Sequence, residues 1–334
     1  MKALRSKRSI LPAILVSILS LSGMLCASSS SAAGKKVLVV MSYHPENRWQ
    51  HNIKEGIDSV LKDAELRYFW LDTKRDMAGG EARSREAFDL YRKLNPDAVI
   101  VADDNAQPLF VVPYLKDKVK TPVVFCGVND DAAKYGFPAS NVTGIIEKKH
   151  NRESIGLAQQ VDPGIRRVAV IYRDSPSNRI NLEQIRKEQH SYSAELVEFI
   201  EVGTLAEAVE AVNGGESPAD AFLSLSLSGI LDVKGAQLDW KDALPAIVQK
   251  ADKPIIAVGA WQVEAGALCG VVKTGQEQGK VAARMALDLL GGRPIEEVPI
   301  TENRNGHRII NVTTAKRLGI DIPAAALLEA ELVN

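Results

Sequence analysis

Short apolar runs recur along the chain beyond residue 34: Val37–Met41, Ala98–Ala102, Val123–Phe125, Val168–Tyr172, Ala221–Leu225, Ile255–Val258 and Leu268–Val272. Each is nearly continuous in Val, Ile, Ala and Leu rather than alternating apolar with polar. That pattern predicts strands of a parallel sheet, covered on both faces by crossover helices. Between the runs lie stretches of helical periodicity, such as Ile53–Leu61, Arg83–Leu94, Arg152–Gln160, Leu182–His190 and Leu205–Val212. The alternation of strand and helix places the chain in the α/β class. Gly291-Gly292-Arg293-Pro294 predicts the end of a helix begun near Gln276, a glycine cap followed by proline.

Two series of strand–helix units separate along the chain. The first runs from about Lys35 to Val142 and the second from near Arg152 through Val258. The part from Leu268 onward returns to complete one or both lobes.

The first 33 residues have a different pattern. Lys2, Arg5, Lys7 and Arg8 precede an apolar stretch from Ile10 to Leu25, and the small residues Ala27–Ala33 follow. This predicts a signal peptide spanning 1–33, cleaved after Ser31-Ala32-Ala33, and a soluble periplasmic product. The stretch is shorter than the ~20 residues a membrane span needs and has polar interruptions. Cys26 follows Gly23-Met24-Leu25, with a bulky leucine where lipoprotein processing prefers a small side chain, so no lipid anchor is expected.

Removing that segment takes away four positive charges and no acidic ones, moving the formal net charge from −1 to −5. A mildly acidic chain argues against nucleic acid, whose binding needs basic clusters to displace condensed counterions. About 300 residues remain, enough for two lobes. Only Cys126 and Cys269 survive processing, with no CxxC or Cys/His grouping, which suits buried thiols. His44 and His51 are seven apart, which fits neither zinc-helix nor loop-pair spacing, so no metal or other cofactor is expected.

Enzyme signatures are missing as well. Met41-Ser42-Tyr43-His44 after the first run has no glycine for a dinucleotide fingerprint, Gly275–Lys280 lacks P-loop spacing, and there is no GxSxG elbow. The reading is a binding protein that performs no catalysis.

The C-terminal third carries a more specific pattern: Gly279-Lys280-Val281-Ala282-Ala283, Leu289-Leu290-Gly291-Gly292-Arg293-Pro294-Ile295, Pro299-Ile300, Ile310-Asn311-Val312, Thr314-Ala315-Lys316-Arg317-Leu318-Gly319-Ile320 and Ile322-Pro323. Mid-chain, Asn141-Val142-Thr143-Gly144-Ile145 and Asp162-Pro163-Gly164-Ile165-Arg166-Arg167-Val168 fit the same pattern. Together these resemble the ABC-transporter substrate-binding family that includes tryptophan- and phenylalanine-binding members. Ser42-Tyr43-His44-Pro45-Glu46-Asn47-Arg48-Trp49 and Asp72-Thr73-Lys74-Arg75 depart from the family's usual first lobe. They resemble a subgroup whose domains serve as input modules of membrane sensors.

The resemblance implies a type I periplasmic-binding-protein fold, two doubly wound Rossmann-like lobes joined by three crossovers. The expected boundaries are 35–145 with about 263–298 for lobe 1, and 146–262 with about 299–334 for lobe 2. It implies a monomer that captures an amino acid or related carboxylate, possibly aromatic, and delivers it to an ABC permease by hinge closure. The alternative partner is a membrane sensor kinase or chemoreceptor.

Ligands of open α/β sheets sit beyond the carboxyl ends of the strands. The first lobe would then contribute Ser42, Tyr43, His44 and Trp49, then Asp103, Asp104 and Asn105, then Asn129 and Asp130. The second would contribute Tyr172, Arg173 and Ser175, then Ser226 and Ser228, and Trp261 near the second crossover. Hydroxyls and Arg173 suit a carboxylate, Asp104 or Asp130 an ammonium, and Tyr43, Trp49, Tyr172 and Trp261 an apolar or aromatic side chain. Each residue has a plainer alternative. Asp103, Asp104, Asn105 and Ser175 suit helix caps, Arg173 a surface ion pair, and Trp49 the packing of its own helix.

Overall fold

The computed structural model describes residues 34–213 and 217–334, so the expected signal peptide, with Cys26, lies outside the described residues. The first series holds β1 (Lys36–Met41), α1 (Arg48–Val60), β2 (Glu65–Trp70), α2 (Gly80–Leu94), β3 (Ala98–Ala102), β4 (Val123–Val128) and β5 (Val142–Ile146). The second holds α3 (Asn151–Val161), β6 (Arg167–Tyr172), α4 (Pro176–Glu188), β7 (Glu195–Glu201), α5 (Leu205–Asn213) and β8 (Ala221–Ser224). It continues with α6 (Trp240–Lys250), β9 (Ile255–Ala257), α7 (Ala260–Glu264) and β10 (Cys269–Val272). After α8 (Gly275–Leu290) come β11 (Thr301–Glu302), β12 (His307–Asn311), α9 (Val312–Arg317), α10 (Ala324–Leu327) and β13 (Ala330–Val333).

Two sheets result, ordered β11-β5-β4-β3-β1-β2 and β13-β12-β10-β9-β8-β6-β7. Every pairing is parallel except β10 with β12. Both repeat one winding, in which the second strand lies outside the first and the third on its other side. The expected architecture of two doubly wound lobes is present, with switch points at β1/β3 and β6/β8. All the apolar runs are strands. The edge strands β2 and β7 escaped that pattern because they are covered incompletely: their residues are half-buried or exposed, not continuously buried.

Each sheet is packed on both faces. Val37, Val39 and Met41 of β1 meet Ile53 and Ile57 of α1 and Ala282, Ala283 and Ala286 of α8. Leu38 and Val40 point the other way, into a cluster with Leu71, Ala87, Phe110 and Leu115. A fully buried aliphatic side chain of this kind stabilises by roughly 1.5–3 kcal/mol. Helices α1 and α8 approach unusually closely through Gly56, Gly275 and Gly279, where a Cβ would run into the facing helix backbone.

The chain passes between the sheets at Glu147–His150 after β5, at Lys273–Thr274 after β10, and at Asn303–Gly306 after β11. The second lobe's sheet therefore extends further along the chain than the boundary expected near residue 262. Leu268–Val272 stays in it, and the return to the first sheet begins at α8. Thr301–Glu302 belongs with the first sheet, so the third passage falls beyond residue 299.

Candidate functional site

The loop after β1 is folded by its own polar side chains. Ser42 is fully buried; its hydroxyl donates to Ala102 O (2.6 Å) and accepts from Ala106 N (3.0 Å), tying the ends of β1 and β3 together. Thr73 Oγ1 donates to Ser42 O (2.7 Å) and accepts from Asn105 Nδ2 (3.0 Å). Asn47 caps α1 by accepting from Gln50 N (3.2 Å), and Gln50 Oε1 accepts from Tyr43 N (3.1 Å). The hydroxyl of Tyr43 is pushed upward by burial and by the nearby Asp103 and Asp104 carboxylates.

Trp49 turns inward rather than packing only on its helix. Its indole N–H donates to Asp103 Oδ1 (2.8 Å), and the Gln50 amide donates to Asp103 Oδ2. Asp103 itself takes the left-handed backbone conformation (φ 67°). Gly127 faces it across β3 and β4, also at positive φ (68°), and a Cβ there would lie 3.0 Å from Asp103 Oδ1. Burial pushes the Asp103 carboxyl up to about 7, against the hydrogen bonds from Trp49 and Gln50 and the charge of Lys273, while Asp104 adds to the rise.

Asp104 holds the loop after β4. Its Oδ2 accepts from Asn129 N (3.0 Å) and Nδ2 (3.2 Å), and its Oδ1 from Asp130 N (3.2 Å) and Tyr135 OH (3.0 Å). Asp130 pairs with Lys134 at 2.7 Å. A fully engaged carboxylate fixes the wall of a site and leaves little capacity for a ligand ammonium.

The three passages between lobes form one bonded unit. Lys273 pairs with the buried Glu147, sits 5.2 Å from the centre of the Trp49 ring and 3.4 Å from Asn129 Oδ1. Burial draws the Lys273 ammonium below the usual lysine range, opposed by Asp103 and Asp104. Asn303 accepts from Lys148 N (2.6 Å), donates to Lys148 O (3.1 Å) and lies 2.9 Å from His150 Nε2. Glu277 Oε1 accepts from Arg304 N (2.8 Å), Asn305 N (2.9 Å) and Asn305 Nδ2 (3.1 Å).

In the second lobe Asn178 binds the ends of β6 and β8 together. Its amide donates to Arg173 O (2.8 Å) and Ser226 O (2.7 Å), and its Oδ1 accepts from Ser226 N (3.2 Å). Ser175 caps α4, accepting from Asn178 N (3.3 Å), and Ser228 N lies 3.4 Å from Ser226 Oγ. Tyr172 OH reaches Glu201 at 3.4 Å. Trp261 lies in α7, well before the second passage, and packs on the second lobe's core beside Leu225, Leu227 and Leu244.

A cleft of about 810 Å³ opens between the lobes. Of the residues expected there it gathers Tyr43, Asp104, Asn105, Asn129 and Asp130. Ser42, Trp49 and Asp103 stand behind that wall as its supports, and His44 pairs outward with Glu46 at 3.1 Å. The opposite wall is the side of α4, with Pro176, Ser177, Ile180, Asn181 and Gln184, and none of the expected Tyr172, Arg173, Ser175, Ser226, Ser228 and Trp261 lines it. Glu147, Lys148 and Lys149 of the first passage complete it, with burial lowering Lys149 to about 8. Sequence reasoning passed over these three, although the charged run directly after apolar β5 was the available signal. The lining carries both signs of charge, the two aromatic rings of Tyr43 and Tyr135 and amide groups, a set suited to a small zwitterion.

The family model for ABC transporter substrate binding proteins matches residues 46–334. A tyrosine-binding protein of Clostridioides difficile (strain R20291) is 26% identical over 189 residues, which cover 54% of this chain and 50% of that protein. The match thus spans about half the length of that relative. Among solved structures, the ABC domain in complex with L-Trp from Streptococcus pneumoniae gives a TM-score of 0.58 at 20% identity, covering 90% of this chain and 100% of that one. The ligand-free, open structure of a substrate binding protein with adhesive properties from Clostridium difficile gives 0.70 at 16% identity, covering 90% and 99%. At these identities the likeness concerns the fold, that of the type I periplasmic binding proteins.

Proposed function

Because the chain belongs to the ABC transporter substrate binding protein family, we propose that it is an exported, periplasmic protein that captures an amino acid, aromatic in preference, between its lobes. It acts without catalysis and delivers its cargo to an ABC permease as a monomer. The observation that carries this reading is the cleft itself. Its volume of about 810 Å³ falls within the range of small-molecule sites, roughly 300–1,000 Å³. The relative that binds tyrosine and the structural neighbour holding L-Trp support the choice of an aromatic amino acid.

Capture works by hinge closure in this reading. The first wall is held rigid by Asp104, Asp103 and Ser42, and the second moves as a body on the three short passages. Ligand bridging the walls favours the closed arrangement, which is what the permease distinguishes. Arg48 and Glu264 already reach across the lobes at 3.6 Å, but with side chains 80% and 43% exposed that pair adds little.

Calorimetric titration with tyrosine, tryptophan, phenylalanine, leucine and glutamate tests ligand class, and small-angle scattering on the same samples tests closure. Tight binding of an aromatic member with a fall in radius of gyration is the expected outcome. Absence of binding by every L-amino acid would refute the reading, and binding with unchanged compactness would refute the closure mechanism.

A further inference from the structure

The lysines that line the interlobe cleft are Lys134, Lys148, Lys149 and Lys187. Lys134 pairs with Asp130 at 2.7 Å and Lys148 with Glu302 at 3.6 Å. Lys187 is exposed, where water satisfies its charge. Lys149 differs from all three. It is half-buried, and burial alone draws its ammonium below the usual lysine range. Among the described residues no carboxylate lies within ion-pairing distance of it, and its Nζ makes no hydrogen bond.

The backbone that carries Lys149 is held against the second wall. The Gln184 amide, in the middle of α4, accepts from Lys149 N (3.2 Å) and donates to Lys149 O (2.8 Å). Two residues on, the buried Asn151 donates through Nδ2 to Oδ1 of the buried Asn181 (2.9 Å). The first passage is thus pinned along the side of α4, on which Asn181 and Gln184 line the cleft. The carboxylates on this side of the cleft are engaged elsewhere or face water. Glu147 pairs with Lys273 and Glu302 with Lys148, Glu188 accepts from Gln184 (3.3 Å), and Glu183 is exposed. An ammonium withdrawn from water brings three donors and no acceptor, and leaving it without a counter-ion is costly.

We propose that Lys149 receives the ligand's α-carboxylate, so that the ligand lies with that end on the first passage and α4 and its side chain toward Tyr43 and Tyr135 of the first wall. This rests on the amino-acid reading of the cleft and adds to it which end of the ligand each wall takes. The first wall sets Asp104, Asp130 and Asp131 against the single cation Lys134, a field that turns a carboxylate away. Lys149 is the cleft cation that is both withdrawn from solvent and left without a partner, and a ligand carboxylate supplies the charge it lacks.

Calorimetric titration of wild type and Lys149→Met tests this with two pairs of probes, L-tyrosine with L-tyrosinamide and L-tryptophan with L-tryptophanamide. Work at about pH 6 keeps the ammonium of the amides protonated, so each pair differs in the charge of the carboxyl end. In wild type the acid of the better-bound pair should bind much more tightly than its amide. Lys149→Met should weaken the acid roughly 10- to 150-fold, the range for losing a hydrogen bond to a charged group, and leave the amide nearly unchanged. The ligand-free Tm should stay level or rise, because a desolvated charge without a partner is removed. Lys149→Gln takes the place of Lys149→Met if that variant fails to fold. Equal losses for acid and amide, or a lower ligand-free Tm, would mean a structural role and would overturn the proposal. Unchanged binding of the acid would overturn it too and leave the amino-acid reading standing. If wild type binds neither pair, the aromatic amino-acid reading fails, and the anchor with it.

Discussion

The seam between α1 and α8 lies behind the first wall of the cleft, because α1 carries Trp49 and Gln50, which hold Asp103, and α8 follows directly on Lys273. Gly279→Ala probes it. In an exposed helix that change would stabilise by about 1 kcal/mol through propensity. Here the new Cβ would run into the Ile53 carbonyl oxygen and sit 2.9 Å from Ile57 N and 3.0 Å from Ile53 C. All three atoms are backbone, so no rotamer change relieves the contact, and the helices must separate. Ordinary carbon–oxygen contacts begin at ~3.3 Å. Overpacking of this kind costs ~1–3 kcal/mol and sometimes more, and a backbone obstacle puts the case at the upper end. After the propensity gain, a net loss of about 2 kcal/mol remains, which lowers Tm by roughly 4–8 °C for a lobe of 150–250 residues.

Gly156→Ala in α3 is the matched control, since a Cβ there meets nothing within 4 Å. It should raise Tm by about 2–4 °C, from the same propensity gain of about 1 kcal/mol. Thermal unfolding of the ligand-free proteins, followed by far-UV circular dichroism, reads both. A Gly279→Ala protein as stable as wild type would refute the claim that the two backbones are in contact. A destabilised Gly156→Ala would show that the propensity argument does not transfer to this fold.

Two further outcomes follow from buried ionisable groups. Asp103 binds its proton more tightly folded (about 7) than in its ordinary state (3.8), so stability is fully present below about pH 4 and is lost as pH rises to about 7, by at most ~4 kcal/mol. Wild type should therefore lose more stability than Asp103→Asn between pH 5 and pH 8 in urea titrations, and parallel losses would refute the assignment. Burial raises both thiols, Cys269 to about 12, and the two lie in different sheets; a thiol reagent at pH 8 should label neither until the protein is unfolded, then both.

The fold was legible because burial on both faces writes a continuous apolar run, and each of the seven runs from Val37–Met41 to Leu268–Val272 contains a strand. The incompletely covered edge strands, β2 and β7, carry no such mark. The position of the second passage was misjudged because β10 resembles any other buried run, and nothing in Cys269–Val272 says which sheet it joins. That depends on the pairing of Cys269 with Ile256 and Ile310, contacts made between residues far apart along the chain.

The site was legible as a set of positions and not as a set of roles. Polar residues just after strands can either face a ligand or hold the loops that frame it, and most of those in the first lobe do the second. Ser42 joins β1 to β3, Asp104 organises the loop after β4, and Asp103 is enclosed by Trp49 and Gln50. The Trp49–Asp103 bond joins residues 54 apart, and no local pattern announces it. The α4 wall was missed for a different reason: Asn181 and Gln184 are mid-helix, where strand-end reasoning does not look.

This division of roles bears on how binding could drive closure. A ligand shifts a two-state equilibrium only by its differential affinity for the two states. Groups in the first wall are satisfied by one another before any ligand arrives, so what they gain on closure is small, and their rigidity keeps the entropy of ordering low. Side chains of the passages are likewise already paired, Lys273 with Glu147 and Asn303 with Lys148, which holds the passages in register.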